Sequence, residues 1–188
     1  MILVTGATGN VGREVTAQLV SAGIDVRAFA RATRAPRLVD SAEVAEGDLS
    51  VPGTLERALT GIEAVFLVWP LLTCDGAPAV LAAIARTARR LVYLSSSGVN
   101  ENTEQQTDPI NQLHADMESL IEASGLEWTV LRANTIASNA LGWAGQIRAG
   151  RTPSARWSAT WRRARARGKA RGRAPTHRGG TRVVATHS

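Results

Sequence analysis

Seven residues constrain this chain more than any others. Gly6-Ala7-Thr8-Gly9-Asn10-Val11-Gly12 follow the β-branched run over residues 2–5 and open a segment in which Val11, Val15, Leu19 and Val20 share one helical face. A strand passing straight into a helix through three glycines turns sharply at Gly6, lets a ligand approach the backbone at Gly9, and packs helix on strand at Gly12. The amides of the first helical turn then face outward, where the helix dipole favours an anion. In this strand-to-helix context, the spacing predicts a dinucleotide pyrophosphate site built by Gly6, Thr8, Gly9, Asn10, Val11 and Gly12.

The chain up to Gly150 keeps alternating strand and helix patterns. Residues 25–30 and 42–46 read as strands two and three, and Pro52 starts a short helix that Gly61 ends. Residues 62–68 form a nearly continuous apolar run, as expected of a parallel strand covered on both faces. A helix over 77–90 and a strand over 91–95 follow. Asp108 and Pro109 then cap a helix whose apolar positions are Ile110, Leu113, Met117, Leu120 and Ile121; Gly125 stops it before a sixth strand over 127–132. The alternation predicts an α/β fold: a Rossmann-type, doubly wound parallel sheet of about six strands in the order 3-2-1-4-5-6, binding its ligand at the carboxyl ends of the strands.

The end of strand two bears on the choice of cofactor. An NAD-binding domain places an acid there to hold the ribose hydroxyls, whereas this chain reads Phe29-Ala30-Arg31, with Arg34 nearby. A guanidinium binds a 2′-phosphate bidentately where a carboxylate would repel it, so NADP(H) is favoured over NAD(H). The alternative is that Arg31 is a solvated loop residue.

The net charge of +6 divides unevenly along the chain. Residues 1–150 hold 11 Arg and all 16 acidic residues, while residues 151–188 hold 10 Arg, Lys169 and no acid. The body is therefore mildly acidic, and overall basicity is no argument for a nucleic-acid partner. The two parts read as a dinucleotide-binding domain over 1–150 and an irregular basic tail over 151–188. Only Trp157, Trp161, Val183 and Val184 in the tail are large apolar side chains, too few to offset ordering costs of ~1–2 kcal/mol per residue, so it is expected to be disordered or poorly packed. The basic run over 162–173 has two readings: a phosphate-contacting segment, or out-of-frame translation of a GC-rich coding sequence. One Lys against 21 Arg favours the second, so nucleic acid is not the expected partner. Cys74, the only cysteine, leaves no intrachain disulfide and no multi-cysteine metal site, so no metal is expected. With no apolar run of the ~18 residues a spanning helix needs and no secretory leader pattern, no membrane partner and a cytoplasmic location are expected.

Several ordered blocks carry a family resemblance. Val4-Thr5-Gly6-Ala7-Thr8-Gly9-Asn10-Val11-Gly12, Gly47-Asp48-Leu49, Val92-Tyr93-Leu94-Ser95-Ser96-Ser97-Gly98, and Ser124-Gly125-Leu126-Glu127-Trp128-Thr129-Val130-Leu131-Arg132 resemble the atypical short-chain dehydrogenase/reductases, particularly their NmrA-like and NAD(P)H:quinone-reductase-like branch. The resemblance implies that Asp48 and Leu49 lie beside the adenine, Val68 near the adenosine ribose, and Ser95, a candidate catalytic residue, on the nicotinamide side of the cleft. For Ser95 to Ser97 the alternative is a strand end whose hydroxyls satisfy local backbone.

The departures from the family pattern matter as much. Where reductases of this superfamily carry a Tyr-x-x-x-Lys before the sixth strand, this chain has Ile110 and His114, so the proton-donating tyrosine is absent. Quinone-reductase-like members similarly have His at the second position, which suggests His114 as a catalytic residue able to donate a proton; the alternative is a helix-flank histidine paired with Glu118. Beyond Gly150 the likeness stops, and the C-terminus reads as truncated or frame-shifted. The resemblance implies an oxidoreductase passing hydride from NADPH to a small acceptor such as a quinone. A non-catalytic redox sensor is the alternative, and nucleic-acid binding through the tail the third reading.

Overall fold

The computed structural model describes residues 1–31, 42–134, 136, 148–149 and 180–185. Among them β1 (Ile2–Thr5), β2 (Val26–Ala30), β3 (Glu43–Glu46), β4 (Ala64–Leu67), β5 (Arg90–Ser96), β6 (Glu127–Ala133) and β7 (Gly180–Ala185) form one sheet in the order β3-β2-β1-β4-β5-β6-β7. All six pairings are parallel. The helices α1 (Asn10–Ser21), α2 (Pro52–Ala58), α3 (Ala77–Ala85) and α4 (Pro109–Glu122) connect the strands. Because β1 leads outward to β2 and β3 while β4 leads the other way, the strand order reverses between β1 and β4, where doubly wound sheets open their ligand crevice.

Side-chain alternation along the strands builds two layers. Leu3, Val65, Leu67, Leu91, Tyr93, Trp128 and Val130 pack against Leu55 and Leu59 of α2, Val80 and Ile84 of α3, and Met117 and Ile121 of α4. Val4, Ala28 and Phe66 point to the opposite face, where α1 brings Val11, Val15 and Leu19. Burial of each large aliphatic side chain contributes roughly 1.5–3 kcal/mol. Strand β4 lies in the middle of this sandwich, which accounts for its unbroken apolar run. Among the described residues no helix is long and apolar enough to cross a membrane.

Three expectations are corrected. The third helix ends at Ala85 rather than at residue 90, because the amides of Arg89 and Arg90 donate to the Glu63 carbonyl (3.0 and 3.3 Å) and draw the chain into β5, with Arg90 level with Ala64. Ile110 is 63% exposed: the apolar stripe of α4 runs off the core in the first helical turn. The largest correction is β7, which lies within the segment read as an irregular tail. An edge strand is held by its backbone ladder and needs few core side chains, and Gly180–Ala185 pairs from Trp128 to Ala133 while Val183 and Val184 stay exposed. Gly180 lies so close to the Trp128 ring that a Cβ there would overlap it, and the Arg182 guanidinium stacks 5.4 Å from the centroid of the same ring. The described residues 1–31, 42–134 and 180–185 belong to one compact unit. Arg34, Trp157, Trp161 and the basic run over 162–173 lie outside the described residues.

Candidate functional site

The glycine turn is built almost wholly from backbone. Gly6 leaves β1 with φ +60°, a conformation that costs a residue with a Cβ, and the Gly9 amide donates to the Gly6 carbonyl (2.9 Å) to close the turn. A Cβ on Gly12 would run into that same Gly6 carbonyl, so only a hydrogen fits where α1 meets the strand. Gly9 is the N-cap of α1; no side chain caps the helix, and its first turn carries no acid. The first-turn amides are thus left to an incoming anion, whose charge the helix dipole favours. Thr8 is half-buried, Gly9 and Asn10 are exposed, and Val11 is packed into the layer beneath α1.

The neighbouring strand ends complete a continuous edge. Val68, just past β4, packs against Gly6, with its Cβ 3.0 Å from where a Cβ on that glycine would stand. Buried Thr5 ties the two strand ends together, its hydroxyl accepting from the Val68 amide (2.8 Å) and donating to the Val68 carbonyl (3.1 Å). On the other side of β1, the Gly47 amide donates to the Ala30 carbonyl (3.0 Å), which sets the ends of β2 and β3 side by side. Arg31 and Asp48 emerge there. The Ser50 amide (2.9 Å) and hydroxyl (2.8 Å) both donate to the Asp48 carboxylate and hold its pKa below the usual value, with the positive charge of Arg31 adding to the effect. Leu49 is 4% exposed and belongs to the core, so its side chain anchors the loop rather than facing the crevice.

Across β4 the site is built from side chains. Ser95, near the end of β5, is 3% exposed and donates to Glu118 of α4 (2.5 Å). Its hydroxyl neither faces open cleft nor serves local backbone; the backbone reading applies instead to Ser96, whose hydroxyl accepts from the Gly98 amide (3.1 Å). Glu118 receives a two-pronged bond from Arg132 of β6 (Nε 3.0 Å, Nη2 2.5 Å), and Arg132 also donates to Glu101 (2.8 Å). Burial alone would lower the pKa of Arg132; its hydrogen bond to Glu118 and the charges of Glu118 and Glu101 more than reverse this. Arg182 of β7 joins the cluster through its ion pair with Glu122. A depression of about 520 Å³ lies here, lined by Glu101, Glu118, Glu122, Arg132 and Arg182. Those charges already pair with one another, across β4 from the strand that leads into the glycine turn.

His114 is not paired with Glu118. Its Nδ1 lies 2.6 Å from the hydroxyl of Tyr93, a fully buried residue of β5, and the two rings sit 5.8 Å apart, tilted. Burial holds the imidazole pKa below its ordinary 6.5, against the opposing pull of Glu118 and Asp108. Burial likewise pushes the Tyr93 phenol far above its usual range, helped by Cys74 and Glu118. Tyr93 is level with Leu67, one residue before the Val68 that touches Gly6. The sequence reading gave no role to Thr5, Tyr93 or Arg132, and it named Glu118 only as a partner for His114. One signal was available: Trp128, Val130 and Arg132 alternate onto one face, and an arginine on a core face demands a buried acid.

Comparison with known proteins follows the same lines. A family model described as NAD(P)H-binding matches residues 6–163, past Gly150. The chain is 42% identical over 153 residues to a (4-alkanoyl-5-oxo-2,5-dihydrofuran-3-yl)methyl phosphate reductase of Streptomyces griseus, an alignment covering 79% of this chain and 52% of that protein. It is 31% identical over 151 residues to an NAD(P)H azoreductase of Xenophilus azovorans, with the same two coverages of 79% and 52%. The chain therefore spans about half the length of the curated relatives it matches. Among solved structures, an NADPH-dependent quinone oxidoreductase from Escherichia coli superposes with a TM-score of 0.64 at 25% identity, over 77% of this chain and 51% of that one. A short-chain dehydrogenase/reductase from Veillonella parvula in complex with NADP shares the fold, with a TM-score of 0.59 at 23% identity over 70% of this chain and 68% of that one.

Proposed function

The chain belongs to an NAD(P)H-binding family within the atypical short-chain dehydrogenase/reductases, and from that premise we propose that it is a reductase, binding NADPH in preference to NADH and passing hydride to a small, easily reduced acceptor such as a quinone. The observation that carries the reading is the start of α1, uncapped and acid-free, set by Gly6 and Gly12 at the point where the strand order reverses. The cofactor fits there: Gly6, Thr8, Gly9, Asn10, Val11 and Gly12 would hold the pyrophosphate, Asp48 and the backbone at Leu49 the adenine side, and Val68 the ribose. Arg31, exposed at the end of β2, would take the 2′-phosphate. When bound, the nicotinamide supplies the hydride.

This chain's own residues narrow the acceptor. Ile110 stands at the family's tyrosine position, so no side chain there gives up a proton, and unactivated carbonyls should be reduced slowly. His114 is the candidate group for meeting the acceptor, while Ser95, turned into the Glu118 bond, acts by positioning that carboxylate. The compound types named in the relatives, an azo compound, a quinone and an alkanoyl-dihydrofuranone phosphate, make up the panel to test, with simple aldehydes as the contrast.

Calorimetric titration with NADPH and NADH tests the cofactor reading. NADPH should bind several-fold tighter, and Arg31→Asp should reduce or reverse that ratio; equal affinities for the unmodified chain overturn the preference. Following NADPH oxidation against the acceptor panel tests the reaction. Fast aldehyde reduction would contradict the reading of Ile110, and tight NADPH binding with no turnover on any acceptor would favour a redox sensor.

A further inference from the structure

The phenol of Tyr93 has no exposure, so its O–H needs a partner within the protein. His114 Nδ1, at 2.6 Å, is the partner that the described residues provide, and an unprotonated imidazole nitrogen is a better acceptor than a phenol oxygen. The phenol therefore donates. An imidazole that accepts at Nδ1 keeps its own hydrogen on Nε2.

We infer that Tyr93 is a positioning residue whose hydroxyl locks His114 in the Nε2–H tautomer, so that His114 meets the acceptor as a neutral hydrogen-bond donor and not as a proton-donating imidazolium. The inference rests on the reductase reading for its role in turnover, but not for the tautomer itself. An acceptor that has taken hydride from a dihydronicotinamide gains two electrons and one hydrogen, and for a quinone the negative charge gathers on oxygen. The Nε2–H of His114 stabilises that oxygen by a hydrogen bond, and the balancing proton comes from water, so no imidazolate and no Tyr93 phenolate need form. The groups facing the ring agree with a neutral donor: uncharged Tyr93 from β5, Cys74 beside that phenol from the segment after β4, and, among the described residues, Glu118 of α4 and Asp108 at its N-cap favouring the cation. Burial outweighs those two carboxylates.

The test is a long-range ¹H–¹⁵N correlation spectrum of the histidine rings in the NADP(H)-loaded chain at neutral pH, assigned with His114→Gln. The pattern of a neutral ring protonated at Nε2 is expected, and Tyr93→Phe, which keeps the ring and removes only the hydroxyl, should turn it into a tautomer mixture. An imidazolium or Nδ1–H pattern in the unmodified chain, or an unchanged pattern in Tyr93→Phe, overturns the inference. With an acceptor that turns over, kcat should stay level as pH rises from neutrality, and Tyr93→Phe should lower kcat by roughly tenfold at most, the worth of one neutral hydrogen bond, with cofactor affinity unchanged. A kcat that falls with the deprotonation of His114 overturns the neutral-donor role. Absence of turnover on every acceptor counts against the reductase reading alone, because the spectrum decides the tautomer without catalysis.

Discussion

Helices α1 and α4 both rise from the carboxyl edge of the sheet, and they begin in opposite ways. The first turn of α4 is satisfied internally: the carboxylate of Asp108 accepts from the amides of Ile110 (3.1 Å) and Asn111 (3.0 Å). The first turn of α1 has Gly9 as its cap and carries no acidic residue. The same contrast extends to the halves of the sheet they serve. On the β1 side the site is backbone shaped by glycines; on the β5–β6 side it is side chains holding one another, Ser95 and Arg132 on Glu118 and Tyr93 on His114. A helix that supplies its own carboxylate has no amides left for a phosphate, and one that begins on glycine keeps them.

The side-chain half should be the more fragile to a single deletion. Glu118→Ala leaves Arg132, with only 8% of its side chain exposed, without its buried partner, and a loss of about 3–5 kcal/mol in unfolding free energy is expected from denaturant titration. A loss below 1 kcal/mol would mean that Glu101 alone satisfies the guanidinium. In the backbone half, Gly12→Ala drives a methyl into the Gly6 carbonyl, with an expected cost of roughly 1–3 kcal/mol in the turn and a ten- to hundred-fold weaker NADPH affinity by calorimetry. Binding unchanged by that methyl would break the account of the turn.

The two helix starts can also be exchanged. Asp108→Ala should cost about 1 kcal/mol of stability with no change in cofactor affinity, whereas Gly9→Asp, which gives α1 an acidic cap, should hold or raise stability and weaken NADPH binding about tenfold. If both variants weaken binding alike, the contrast between the two starts does not hold. The smallest effect is a pH dependence. With the pKa of His114 below 6.5 in the folded chain, the unfolded chain takes up this proton first as pH falls. Stability is therefore lost as pH drops through about 6.5, levelling off once the folded ring is also protonated. Denaturation midpoints at pH 7.5 and 5.5 should differ more in the unmodified chain than in His114→Gln.

The sequence by itself determined the backbone half. Gly6, Gly9 and Gly12 sit within seven residues, and their requirements, a positive φ and a close helix–strand contact, are met by atoms in the same turn. Six strands and their order were legible for a related reason, since each strand–helix unit carries its own apolar period and short connections allow only one winding. The tertiary structure alone decided the side-chain half. Tyr93 and His114 are 21 residues apart, Ser95 and Glu118 23, and Arg132 and Glu101 31, so no local period announces that they meet. Their partners are chosen by the crossing of α4 over β5 and β6, and the same crossing admits β7, through Arg182 and Glu122, from a segment whose composition had argued for disorder or poor packing. Local sequence carries interactions closed within a turn; buried charges and hydroxyls find their partners only when distant elements are brought into register, because the cost of leaving them unpaired is incurred only once they are buried.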